Sequence, residues 1–299
     1  MRIAAIGEVL WDVFPETERL GGAPFNFSAQ ATRLGHEVRF VSAVAEDARG
    51  RRILDRMREL GLSTEFVGLV GNPPTGMVDV RLDAAGKPDF HLRRPAAYDA
   101  VRLDQPALKR LRDWQPNWLY FGSLHQIYPE VRDLTRSLMS ALTGARKFYD
   151  VNLRPPCYTR ELIEALMAAA DVVKLNDDEA VELDAMFGFD ARPIAAFTAH
   201  WMEKFGWQAV AVTRGAQGSA VRIGREYAEV PGFRVQVMDT VGAGDAFAAA
   251  FLHGLSHAWP PPACAEFANR LGAVVASKAG ATPEWMMEDC CRLGVETRS

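Results

Sequence analysis

The alternation of short apolar runs with amphipathic stretches constrains this 299-residue chain more than any other feature. Apolar runs over 3–6, 38–44, 118–121, 147–150, 171–175 and 209–213 have the length of strands. Between them, apolar residues spaced three and four apart predict helices over 26–34, 48–60, 130–142, 161–169, 195–205, 245–255 and 264–276. Strands joined through helices build a mostly parallel sheet covered on both faces. Ligands bind beyond the carboxyl ends of such strands. With no repeat, linker or low-complexity tract, the expectation is one α/β domain over 1–299, a three-layer α/β/α sandwich.

One region breaks the alternation. Over 75–97, Met77, Val78, Val80 and Leu82 sit among polar residues, 84–87 reads as a turn, and 90–93 returns. That is a hairpin: either a sheet edge or, with 10–22, a small β-sheet lid (about 10–22 and 74–100) that excludes water from a reaction.

Bulk properties exclude several functions. The formal charge is −4 with scattered basic residues, which argues against a nucleic-acid partner. No apolar run reaches the length of a membrane span. The opening Met1-Arg2-Ile3-Ala4-Ala5-Ile6-Gly7-Glu8 meets an acid early and reads as a buried strand rather than a signal peptide. Four cysteines without a C-x-x-C pair suggest neither zinc nor a disulfide framework, so a cytoplasmic setting is expected.

The run Asp239-Thr240-Val241-Gly242-Ala243-Gly244-Asp245 then carries the chemistry. Small residues at a helix start let the amides of Gly242, Ala243 and Gly244 face a developing anion, which the dipole also favours. Asp245, at the lip of that cradle, is placed to take a proton from a hydroxyl. An anion cradle beside a carboxylate base suits phosphoryl transfer to an alcohol.

Other segments each admit a plainer reading. Gly21-Gly22-Ala23-Pro24-Phe25-Asn26 is a helix-capping turn, or a close approach to a ligand gripped by Asp12 and Asn26. Arg154, in the run from Asp150 to Pro156, is a surface cation or a fork for phosphate. Asn176 and Glu179 form a capping pair, or hold Mg²⁺ through water, or do both. The turn through Thr213, Gly215 and Gly218 is a hairpin or a nucleotide loop. Asn269 and Ala273 share a small-residue helix face that packs in the core or admits adenine.

These segments, in this order, resemble the ribokinase-like (PfkB) carbohydrate kinases from Gly7 to about Pro283. The resemblance implies a ribokinase-like fold, ATP and Mg²⁺ as cofactors, and a small sugar as partner. It implies Asp12, Gly21, Gly22, Asn26 and Asn152 at the sugar, with Asp245 as base and Arg154 on the phosphate side. It places Asn176, Thr213, Gly215, Gly218, Gly242, Gly244, Asn269 and Ala273 at the nucleotide, and Asp239 and Gly280 at a K⁺ site. No Gly-x-x-x-x-Gly-Lys-Ser/Thr or His-Arg-Asp segment occurs, so neither a P-loop kinase nor a protein kinase is indicated.

Gly7-Glu8-Val9-Leu10-Trp11-Asp12 and the run from Asp150 to Pro156 are most similar to bacterial fructokinases, which implies phosphorylation of D-fructose to fructose 6-phosphate. Where those enzymes carry Trp-Asp in the returning lid segment, this chain has Tyr98-Asp99, with Tyr98 expected against the sugar. The alternatives are a 2-keto-3-deoxygluconate kinase using His91, Arg93 or Arg94, a nucleoside kinase, and a non-catalytic sensor on the same fold. The two faces of the lid also suggest a homodimer.

Overall fold

The computed structural model describes residues 1–82, 88–190 and 193–293. Its strands are β1 (Arg2–Ile6), β2 (Leu10–Val13), β3 (Glu18–Gly21), β4 (Glu37–Ala45), β5 (Val67–Val70), β6 (Gly76–Leu82), β7 (Pro88–Arg93), β8 (Trp118–Gly122), β9 (Arg146–Asp150), β10 (Val172–Asn176), β11 (Ala209–Thr213), β12 (Ser219–Ile223) and β13 (Glu226–Val230). Nine of them form the central sheet in the order β13-β12-β11-β10-β9-β8-β1-β4-β5. It is parallel from β11 to β5, with β12 and β13 added antiparallel at one edge.

The strands are apolar on both faces because both are covered. Ile3 and Ala5 join one core cluster while Ala4 and Ile6 join the other, and Phe148 and Tyr149 divide in the same way. The first layer holds α1 (Ala23–Arg33), α2 (Ala48–Glu59), α8 (Ala243–Ser256) and α9 (Pro261–Ala276). The second holds α3 (Gln105–Asp113), α4 (Pro129–Ala141), α5 (Arg160–Ala169), α6 (Asp177–Phe187) and α7 (Ile194–Phe205), and a short α10 (Met287–Arg292) closes the described chain. This is the ribokinase-like α/β/α sandwich expected from the sequence.

Two helix starts matter for the site. Helix α1 begins three residues earlier than its apolar period suggests, because Gly22 (φ 108°) turns the chain and Pro24 presets the first helical turn. Helix α8 begins at another left-handed glycine, Gly242 (φ 81°). The alanines of α8, fully buried from Ala248 to Ala250, let it pack closely among its neighbours.

A second, four-stranded sheet in the order β3-β2-β6-β7 stands over the carboxyl ends of the central strands. Strand β2 pairs parallel to β6, while β3 and β7 run antiparallel to their neighbours. The expected turn at 84–87 lies outside the described residues. Leu10, Val78 and Val80 cover Tyr98 and Leu124. Residues Ala97–Ala100 form a 3-10 turn in this small core rather than a further part of the lid sheet.

Candidate active site

The site forms where β1, β9, β10 and β11 end and α1 and α8 begin. Asn26, in the first turn of α1, donates from Nδ2 to Asp245 Oδ2 at 2.8 Å. The two helix starts are thereby joined, and Asn26 is itself bonded back to the turn, its amide donating to the Gly22 carbonyl at 2.8 Å. Burial, with the nearby charge of Asp150, raises the Asp245 pKa to about 6, against the pull of Lys174, Asn26 and Arg154.

The two glycines of that turn are there for space. A Cβ on Gly21 would stand 2.9 Å from Asp12 Oδ2, and one on Gly22 would stand 2.6 Å from the Glu8 carbonyl oxygen. Asp12 is raised to about 6, by burial first and then by Asp239, with Arg154 and Arg19 opposing. Arg19 of β3 makes an ion pair with Asp239, which also accepts from the amides of Val241 (3.0 Å) and Gly280 (3.3 Å). The carboxylate expected at a K⁺ site therefore already faces a guanidinium from the lid.

The start of α8 is tightly constrained. A Cβ on Gly242 would meet the Ala281 carbonyl oxygen at 2.5 Å, in a backbone conformation that side chains disfavour. The Ala243 amide donates to the Thr240 carbonyl at 3.3 Å. The amides of Gly242, Gly244 and Asp245 have no carbonyl one turn earlier in the helix and are the ones suited to an anion. Beneath them, Lys174 Nζ lies 3.3 Å from where a Gly244 Cβ would be.

Lys174 and Asp150 are direct partners across β10 and β9, and their side chains meet at 3.1 Å, both buried. The Tyr120 hydroxyl donates to the same carboxylate at 3.0 Å. The sequence did not single out this pair, because it emerges only from the register of two strands. Glu8, at the end of β1, was missed as well; the one available signal was an acid directly after a buried strand.

Arg154 is exposed, yet its charge favours the ionised forms of Glu8, Asp12 and Asp245, which places it on the open side of the three carboxyls. Its loop is fixed on both sides. Val151 N–H donates to the Lys174 carbonyl at 2.9 Å, and Leu153 N–H to Glu179 Oε1 at 2.9 Å. Asn152 between them adopts a left-handed backbone (φ 39°), which asparagine tolerates better than most residues.

Asn176 and Glu179 cap α6 reciprocally. Asn176 Oδ1 accepts from the Glu179 amide at 2.8 Å, and Glu179 Oε2 accepts from the Asn176 amide at 2.9 Å. Both Glu179 oxygens are thus engaged by amides, so a divalent cation would meet this residue through water. Among the described residues no group of three or more His, Cys, Asp or Glu side chains is arranged to hold a metal directly.

Among the residues expected at the nucleotide, Asn176 and Thr213 are register partners on β10 and β11. Gly218 backs onto 230–232, where its Cβ would meet the Val230 carbonyl oxygen at 2.1 Å. Asn269 donates to the carbonyls of Val230 (3.2 Å) and Pro231 (3.3 Å). Asn269 and the 213–218 turn thus brace one segment, while Gly215 is exposed and Ala273 half-buried on α9. Tyr98 is fully buried beneath the lid, its ring against Gly76 and Arg94, rather than on an open lid surface.

A family model described as pfkB family carbohydrate kinase matches residues 6–288. The chain belongs to this family. It is 29% identical to the aminoimidazole riboside kinase of Salmonella typhimurium, across 94% of this chain and 90% of that one. It is 28% identical to fructokinase-1 of Zea mays, across 94% and 93%. The structure of the fructokinase from Xylella fastidiosa with bound ATP superimposes with a TM-score of 0.86 at 25% identity, covering 100% and 99% of the two chains. This pfkB chain is accordingly a carbohydrate kinase in fold and family, with no described helix long and apolar enough to cross a membrane.

Proposed function

We propose that the protein transfers the γ-phosphoryl group of ATP to O6 of D-fructose. The observation that supports this reading is the Asn26–Asp245 hydrogen bond, which ties the carboxylate in the first turn of α8 to the helix that follows the Gly21-Gly22 turn. Asp12 and Asn26 hold sugar hydroxyls. Asp245 accepts the proton from O6 as that oxygen bonds to the γ-phosphorus and the bond to the bridging oxygen of ADP breaks. The unmatched amides, Lys174 and Arg154 offset the charge on the transferred group and the leaving phosphate. Asn176 and Glu179 would hold a Mg²⁺ ion through water, and the ion would supply further charge neutralisation.

Fructose is favoured over its rivals by two supports. Fructokinases appear among both the sequence and the structural relatives. A keto-acid substrate needs a free cation near its carboxylate, and two of the three residues named for it, Arg93 and Arg94, have other partners. Arg93 binds Asp79 at 2.6 and 2.7 Å, and Arg94 pairs with Asp99 and donates to the Leu124 carbonyl. The similarity to an aminoimidazole riboside kinase makes a riboside the second reading.

The test is ADP release with ATP and Mg²⁺ over fructose, ribose, glucose, 2-keto-3-deoxygluconate, adenosine and aminoimidazole riboside, with and without K⁺. Fructose is expected to have the highest kcat/KM, with fructose 6-phosphate as product. Higher kcat/KM with another acceptor moves the substrate, and no turnover with any acceptor overturns the kinase reading.

A further inference from the structure

Three buried side-chain atoms around the Gly21-Gly22 turn lack any hydrogen-bond partner: Glu8 Oε2, Asn26 Oδ1 and the Tyr98 hydroxyl. Unpaired buried polar atoms are costly and uncommon in folded proteins. Asn26 already has a role in the proposed reaction. Glu8 has none, although it is only 3% exposed.

The backbone that carries Glu8 is held rigidly. The Glu8 carbonyl fits against Gly22, and the Val9 carbonyl would stand 2.9 Å from a Cβ on Gly76. One glycine belongs to the sugar-binding turn and the other to the lid, so residues 8 and 9 pass between the two. The Glu8 carboxyl is close enough to Asp245, Arg154, Arg94 and Tyr98 for its charge to couple with each. Arg94 favours its ionised form through charge alone, its own hydrogen bonds going to Asp99 and the Leu124 carbonyl. The result is a buried carboxyl on a fixed backbone with one oxygen, Oε2, left without a partner, and its charge is coupled to Asp245 and to the phenol of Tyr98 under the lid.

We propose that Glu8 binds substrate directly, its carboxyl taking a sugar hydroxyl remote from the one phosphorylated, with the Tyr98 hydroxyl as its neighbour on that side of the sugar. This inference rests on the sugar-kinase reading. It makes Tyr98 a polar contact to the sugar through its hydroxyl. It also explains why burial is allowed to raise the Glu8 pKa to about 7, with Asp245 adding to the shift. The ligand, not the protein, completes the hydrogen bonding.

The test compares Glu8→Gln and Glu8→Asp with the wild type on fructose and on its 1-deoxy, 3-deoxy and 4-deoxy analogues. For Glu8→Gln, KM for the sugar is expected to rise roughly 10- to 100-fold, the worth of one hydrogen bond to a charged group, while kcat and the KM for ATP change little. One deoxy analogue should be penalised in the wild type but not in Glu8→Gln. Melting without sugar should stay or rise in Glu8→Gln, because no internal bond to Oε2 is lost, whereas a purely structural role predicts a fall. Glu8→Asp keeps the charge but shortens the reach, and should fall between the two in KM.

An unchanged KM, or the same analogue penalty in wild type and variant, overturns the assignment of Glu8 and leaves the kinase intact. A lower melting temperature with KM unmoved in both variants does the same. Wild-type failure on every sugar overturns the parent reading and this one with it.

Discussion

Asn26 and Asp245 lie 219 positions apart and meet at 2.8 Å, so the amino ends of α1 and α8 are joined to each other through these two side chains. The geometry of the base is therefore set by both motifs at once. Asp245→Asn preserves the shape and should lower kcat by roughly two to four orders of magnitude while leaving fructose and ATP affinity close to wild type. Steady-state kinetics together with calorimetric binding of each ligand checks this. Near-normal turnover would remove Asp245 from the base role.

The pH dependence follows from the raised pKa of the same residue. The proposed reaction needs Asp245 ionised, so kcat/KM should fall as the pH drops through about 6. Asn26→Ala removes a hydrogen bond that favours the carboxylate, and the acid limb should move to higher pH. The stability effect has the opposite sense. The folded chain holds this proton more tightly than the unfolded one, whose ordinary value is 3.8. The group's favourable contribution is full below about pH 4 and is lost as the pH climbs through 6. Asp245→Asn should thus raise the melting temperature at pH 8 more than at pH 4.

Lys174 and Asp150 form a buried pair on adjacent strands. Removing one partner leaves the other charge uncompensated, so Lys174→Met should cost about 3–5 kcal/mol in stability. Lys174→Met with Asp150→Leu should recover much of that loss but not turnover, because the cation beneath Gly244 is still missing. Urea denaturation of both variants, with kcat measured in parallel, separates the two effects.

Arg19 and Asp239 join the lid to the loop before α8. Arg19→Gln should raise the KM for sugar several-fold and make lid closure less complete, with more ATP hydrolysed in the absence of sugar. An unchanged KM and unchanged basal hydrolysis would show the pair to be a surface contact only, as exposed pairs often are.

Much of the sheet could be read from the sequence because its strands are apolar on both faces and its helices are strongly periodic. The expected strand over 171–175 is observed at Val172–Asn176, and that over 147–150 at Arg146–Asp150. The glycine turns at 21–22 and 242–244 also announced themselves, and at Gly22 and Gly242 a Cβ would strike a backbone carbonyl oxygen. What stayed hidden depends on register and burial. Lys174 and Asp150 face each other only once β9 and β10 are aligned. Tyr98 looked like a lid residue because its neighbours read as a returning strand, yet a 3-10 turn carries it into the core beneath. Glu8 was read only as an early acid because a single acid at a strand end is ordinary until one of its oxygens is found buried without a partner.

The cap of α6 has a consequence for variation in this family. Glu179 closes the helix with one oxygen and holds the loop before Arg154 with the other. Position 179 therefore carries two constraints that no single replacement satisfies, because glutamine can accept through only one of its terminal atoms. Any lineage that loses this acid must lose the arginine's placement as well. Positions 154, 176 and 179 are thus expected to drift together or to stay fixed, although residue 154 is exposed and its own surroundings would tolerate change.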